Sequence, residues 1–128
     1  MGIQDFQTFE VQPPLVQMSE SRLRRKYVVS WGEEKFINDL GFEVFKIYSV
    51  ELGREFSYGT IVSAIISQRY SNDEVTAISL NYLNKDSASE AKSIEYIAEY
   101  NALQEWRSMA KEVAARAVAY AKERQWIE

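Results

Sequence analysis

The chain contains no cysteine and no histidine. Without cysteine there is no disulfide framework, so the class of stapled secreted mini-domains is excluded. Without histidine the usual general base near neutral pH is gone, together with the commonest metal ligand. The two absences exclude zinc sites of the usual kinds, Cys or His nucleophile systems and the Ser-His-Asp triad. Chemistry based on carboxylates with Mg²⁺ or Ca²⁺ is not excluded by composition. Glycine is scarce, at 5 residues. No phosphate-binding loop, dinucleotide fingerprint or nucleophile elbow occurs. Long apolar runs are also missing, and the longest are far too short to span a bilayer. The opening residues MGIQDFQTFE carry acids and no apolar run, so no signal peptide is expected. Phe6 stands where a myristoylation signal wants Ser or Thr. A cytoplasmic protein is the expectation, in a bacterial or phage-infected cell.

The residues present are those of an ordinary globular domain. The chain has 128 residues, of which 46% are hydrophobic, 13% aromatic and 27% charged. That length suits one domain able to bury roughly two-thirds of its unfolded surface without staples. The aromatic content argues against disorder. A net charge of -4 gives no global attraction to nucleic acid.

Residues 1–18 read as an extended arm, followed by one globular α+β domain over 19–128. Pro13-Pro14 favours polyproline geometry. Phe6, Phe9, Val11, Leu15 and Val16 give the arm something to dock with. Docking on its own domain is the favoured reading, and loan to a neighbouring subunit is the other.

Residues 22–31 alternate. Leu23, Tyr27, Val29 and Trp31 share one strand face, which Arg25 interrupts. Arg22, Arg24 and Lys26 share the other. Residues 42–52 are rich in β-branched and aromatic residues and read as a second strand. Turn formers at both ends of GEEKFINDLG make the pair an antiparallel hairpin over about 22–52. A rival reading starts a helix with a Ser30–Glu33 capping box and would make the protein an all-α bundle. Strands are preferred because Phe42 and Val50 would fall on the polar face of that helix.

Helical signals begin after Gly53. Tyr58, Val62, Ile65, Ile66 and Tyr70 line one helix face. Ser71 and Glu74 form a capping box for the next helix, whose stripe is Val75, Ile78 and Tyr82. Ser87 and Glu90 form a second box, which predicts a long helix from about Ala88 to about Arg124. Leu103, Trp106, Ala110, Val113, Ala117 and Tyr120 make a seam suited to helix packing. Upstream, Ile94, Ile97, Tyr100 and Leu103 are spaced by three, so the stripe rotates. A kink near Asn101 or two packing partners would account for that. Ala110, Ala114, Ala117 and Ala121 permit close approach of another element. The predicted fold is therefore α+β: a small N-terminal antiparallel sheet, two short helices and one long C-terminal helix.

Candidate sites are few. The helix pair over 57–84 has helix-turn-helix form, yet its second helix carries Asp73 and Glu74 and no basic residue before Lys85. Phosphate contacts need such residues. Arg22, Arg24 and Lys26 are the one dense basic cluster. They would contact an anion or nucleic acid, or simply form a charged strand face that resists aggregation. Asp73-Glu74 and Glu33-Glu34 are adjacent in sequence, do not share a helix face and are poor chelates. No catalytic residue, metal site or cofactor is assigned. Ile97, Tyr100, Trp126 and Ile127 are the expected contacts with a protein partner or a second copy.

The segments SYGTIVSAIISQRYSNDEVTAISLNYL and EYNALQEWRSMAKEVAARA, less than half of the chain, resemble small proteins without an assigned activity encoded in Bacteroidetes genomes and their phages. The resemblance implies a bacterial or phage setting and transfers no functional residue. A non-enzymatic interaction or structural module, associated with a phage or mobile element, is the leading expectation. A nucleic-acid-binding accessory or regulatory protein is the alternative.

Overall fold

The structure is a computed structural model that describes residues 6–21, 24–32 and 34–127. Its strands are β1 (Gln7–Phe9), β2 (Val16–Ser21), β3 (Arg24–Trp31), β4 (Lys35–Ile37) and β5 (Glu43–Leu52). Helices α1 (Tyr58–Arg69), α2 (Asn72–Leu83) and α3 (Glu90–Glu123) follow, with a 3-10 turn at Lys85–Ser87 before α3. The fold is α+β, with the sheet N-terminal and the helices after it.

All strand pairs are antiparallel, in the order β1-β5-β3-β2, with β4 also paired to β5. Strand β5 organises the sheet. Its second half pairs with β3, from Tyr27 opposite Leu52 to Trp31 opposite Tyr48. Its first half lies against β1 and β4. The expected hairpin is thus present, and residues 35–37 and 43–52 are strand rather than helix. Trp31 faces Tyr48 and Lys35 faces Phe45. Three residues on one side therefore oppose two on the other, which is a β-bulge. Gly32 sits in it at φ 121°. A Cβ there would lie 2.5 Å from the Lys46 carbonyl oxygen, so only glycine fits. Beyond β4 the chain reverses through Asn38. Its side-chain Oδ1 accepts from the Leu40 and Phe42 amides, both at 3.0 Å.

The described part of the proposed arm supplies two strands. Residues 7–9 pair with β5 and residues 16–21 with β3. The boundary drawn at residue 18 falls inside β2, so residues 7–9 and 16–21 belong to the sheet. Val16, opposite Val29, is fully buried. Proline at 13 and 14 keeps the segment extended without a pairing strand, and pairing resumes once ordinary residues return.

Tyr27, Val29, Trp31, Val50 and Leu52 present the sheet's inner face to α1 and to the second half of α3. The core-facing residues of α1 are Ile61 and Ile65, whereas Tyr58 of the expected face is half exposed. The shift follows from α1 being wedged between sheet and α3, which selects the i, i+4 pair 61/65 and leaves Val62 and Ile66 at the margin. At the junction, the Trp106 indole donates from Nε1 to the Ile65 carbonyl at 2.9 Å. Its ring packs near Tyr48 (5.8 Å) and Trp31 (6.3 Å), and the Arg69 guanidinium lies 3.8 Å from its centroid. Ala110, Ala114, Ala117 and Ala121 are all fully buried, so the alanines do allow α3 to approach closely.

Helix caps match the sequence in one case and depart in the other. Ser71 and Glu74 form the expected reciprocal box, at 3.1 and 3.2 Å. Helix α3 is capped by Ser89, whose hydroxyl accepts from the Lys92 amide at 3.3 Å, and not by Ser87. The cause is the intervening 3-10 turn, which takes up Ser87 and delays α3 by two residues.

Candidate functional site

Helix α3 has 34 residues and is about 51 Å long at 1.5 Å per residue. Its buried residues are Leu103, Trp106, Ala110, Val113, Ala114, Ala117 and Ala121. Residues 90–102 bury nothing completely, and α2 has no buried residue at all. Among the described elements, α2 packs chiefly on α3 and on the turn before it. The first half of α3 and α2 therefore form a helical hairpin, attached to the α/β core through Leu103 and the buried residues C-terminal to it. Its internal contact is aromatic: Tyr82 stacks on Tyr100 at 3.9 Å and 13°, and the Lys85 ammonium sits 4.2 Å from the Tyr82 centroid. Two packing partners, α2 upstream and α1 with the sheet downstream, explain the rotating stripe.

The half-buried residues Ser93, Tyr96 and Tyr100 lead at helical spacing into Leu103 on the packed side. Ile94 is 64% exposed and Ile97 37%. The sequence stripe mixed two faces, because spacing by three drifts around a 3.6-residue helix. Leu80 and Leu83 on α2 are exposed as well. The hairpin thus concentrates large apolar residues that the chain itself does not cover.

Of the four residues expected to meet a partner, three are engaged within the chain. Tyr100 stacks on Tyr82. Trp126 and Ile127 pack against the main core. The return of the terminus is a helix-closing motif. Gln125 adopts φ 61°. Its amide donates to the Lys122 carbonyl, and that of Trp126 to the Ala121 carbonyl, both at 3.0 Å. This is a Schellman closure, with glutamine where glycine is usual. It folds Trp126 back to 6.0 Å from the Tyr120 ring. Only Ile97 of the four remains substantially uncovered.

Arg25, the residue that broke the strand's apolar face, explains itself here. Its guanidinium donates to the Trp126 carbonyl at 3.3 Å and to Glu20 at 3.2 Å, and lies 3.5 Å from the Tyr27 hydroxyl. The Tyr27 hydroxyl, then Glu20, hold its pKa above the ordinary arginine value. A raised basic pKa contributes stability that is present below the unfolded value and lost only as pH rises through the folded one. The clamp therefore persists throughout the neutral range. A strand residue and the C-terminus, 101 positions apart, gave no sequence signal for this contact.

The basic cluster is only partly placed. Arg22 and the side chain of Arg24 lie outside the described residues. Lys26 is exposed and pairs with Glu51 across the sheet at 2.9 Å, and Arg25 pairs with Glu20. Carboxylates are thus interleaved with the cations on this strand pair. Helices α1 and α2 each pack against α3 more than against each other. No group of three or more Asp or Glu side chains that could hold a metal occurs among the described residues. A cleft of about 380 Å³ runs beside α3, with Pro13, Leu15, Trp31, Met109, Glu112 and Arg116 on its walls.

No helix among the described residues is long and apolar enough to cross a membrane. The chain matches no protein-family model, no curated protein and no solved structure.

Proposed function

We propose that the chain is a non-enzymatic interaction module whose working surface lies on α3 and the hairpin it forms with α2. One observation carries this reading. Burial stops abruptly at Leu103, and thirteen further residues of α3 continue beyond it with Ile94 and Ile97 exposed. A helix maintained past its own core needs support, because isolated helices of this length are marginal in water. The Tyr82–Tyr100 stack and the Ser71–Glu74 box supply some of that support. Exposed large apolar side chains on such a projection suit contact with another protein. The resemblance of residues 57–83 and 99–117 to phage and Bacteroidetes proteins fits a role within a phage or mobile-element assembly in the bacterial cytoplasm. No cofactor is part of this reading.

The test is a broad hydrolase and nuclease screen with Mg²⁺, Mn²⁺ and Zn²⁺. No turnover is expected. Turnover abolished by changing one carboxylate would overturn the reading.

A further inference from the structure

We infer that two copies of this chain pair face to face through β1, β5 and β4, on the side of the sheet turned away from the helices. This surface is separate from the α2–α3 hairpin and does not depend on the function proposed for it. Cross-strand partners place their side chains on one face. Phe36 and Val44 pair on the side where Phe6, Tyr48 and Trp106 lie. Phe9, Phe45 and Lys35 form a row on the opposite side, and Ile37 with Glu43 forms the next. Ile47, further along β5 on that side, is fully buried, whereas Phe9 and Ile37 are exposed. Where β5 pairs with β3, the same face is chiefly polar and carries Gln17, Ser19, Lys26, Ser49 and Glu51. A solvated antiparallel sheet face is normally polar throughout. Here it turns apolar at the Gly32 bulge. Val11 beyond β1, and Leu40 and Phe42 at the β4–β5 turn, are exposed as well and enlarge the apolar area.

Lys35, Ile37, Glu43 and Phe45 form a checkerboard on this face. Lys35 and Glu43 stand at opposite corners, their charged atoms 3.4 Å apart, and Ile37 and Phe45 occupy the other two. A two-fold axis between facing sheets can run along the strands, across them or along either diagonal. Along the strands it sets Lys35 on Phe45 and Glu43 on Ile37. Across them it sets Lys35 on Ile37 and Glu43 on Phe45. Both bury charge against apolar side chains, which is costly. Along the Lys35–Glu43 diagonal it sets like charge on like, which is also penalised. Along the Ile37–Phe45 diagonal every contact is favourable. Ile37 meets Ile37 of the second copy, Phe45 meets Phe45, and each Lys35 meets the Glu43 of the second copy. Phe9, which continues the row beyond Phe45, lies near the axis and meets its own equivalent. A two-fold interface requires such self-complementarity. With residues about 3.3 Å apart along a strand and strands about 4.8 Å apart, this axis crosses the strands of the two sheets at roughly 70–90°, the orthogonal class of sheet packing.

The area agrees with a second copy as the occupant. At about 150–200 Å² per large apolar side chain, the exposures of Phe9, Val11, Ile37, Leu40 and Phe42 leave about 500–600 Å² uncovered. That is the upper range for the largest apolar patch on a monomer. Pairing of two copies then buries about 1,000–1,200 Å² in total, the low end of specific interfaces. A reversible dimer with Kd between about 1 and 100 μM is expected. An unrelated partner has no use for the diagonal placement of Lys35 and Glu43, whereas a second copy makes two ion pairs from it.

Sedimentation equilibrium over a concentration series tests the pairing on the parent, Lys35→Glu, Glu43→Lys and the double reversal. Both positions are exposed, and thermal midpoints confirm that each variant is folded. The parent mass should rise reversibly toward two chains. Each single reversal should weaken association by about tenfold or more, and the double reversal should restore it. The absence of native cysteine adds a second readout. Ile37→Cys, next to the axis, should cross-link to itself with a short bis-maleimide. Ser19→Cys, on the polar half of the same face, should give several-fold less. A parent that stays monomeric at every concentration overturns the proposal. So does a double reversal that associates no better than the single ones, or equal cross-linking at positions 19 and 37.

Discussion

Trp106→Phe should destabilise the protein by about 2–3 kcal/mol. Trp106 is 8% exposed and lies where α3, α1 and the sheet meet. The change removes the indole donor to the Ile65 carbonyl, a buried bond of 2.9 Å. That carbonyl belongs to the ladder of α1, where an N–H four residues on already reaches it. It is therefore not orphaned, and the loss is about 1 kcal/mol rather than the larger cost of an unsatisfied buried group. The smaller ring also leaves a void beside Tyr48 and Trp31 and gives up part of the stacking surface under Arg69. Those losses contribute about 1–2 kcal/mol more. Urea unfolding followed by circular dichroism measures the difference directly. At about 3–5 °C per kcal/mol, the thermal midpoint should fall by about 6–15 °C. A variant within about 0.5 kcal/mol of the parent, the range of ordinary surface changes, would refute the placement of Trp106 as the junction of the two layers.

The same geometry fixes other outcomes. Gln125→Gly should stabilise the chain by about 1 kcal/mol, because glycine relieves the positive φ of the closing turn; a lower thermal midpoint would count against the Schellman closure. Gly32→Ala should cost about 2 kcal/mol or more, since its Cβ would meet the Lys46 carbonyl at 2.5 Å; unchanged urea unfolding would contradict the bulge. Amides of α2 and of residues 90–102 should exchange hydrogen faster than those of 103–121, where the buried residues lie; equal protection would deny the hairpin its separate character. Binding to nucleic acid should be weak, non-specific and steeply salt-dependent; a sub-micromolar, sequence-selective complex at physiological salt would overturn this expectation.

Much of the fold was legible because its signals are local. Alternation over Tyr27, Val29 and Trp31 marked β3, and Ser71 with Glu74 marked the start of α2. The unbroken seam from Leu103 placed the buried half of α3. Other features depend on distant partners and left no local trace. Strands β1 and β2 hide within a proline-containing stretch, because three- and six-residue strands give too few alternations to read. The face of α1 turned because tertiary packing chose Ile61 over Tyr58. At the candidate site, Ile97 is uncovered. Tyr100, Trp126 and Ile127 are not, because their partners are invisible in linear spacing. Those partners are Tyr82 and the core reached through the Arg25 clamp and the Gln125 turn.

Whether Leu80 and Leu83 on α2 and Ile94 and Ile97 on α3 form a surface that the chain itself leaves uncovered is decided by thermal unfolding of Ile94→Ser. The midpoint should match the parent's, because changes at exposed positions usually stay within about 0.5 kcal/mol. A fall of about 6 °C or more, the size of loss expected at a core position, would show that Ile94 belongs to the chain's own core.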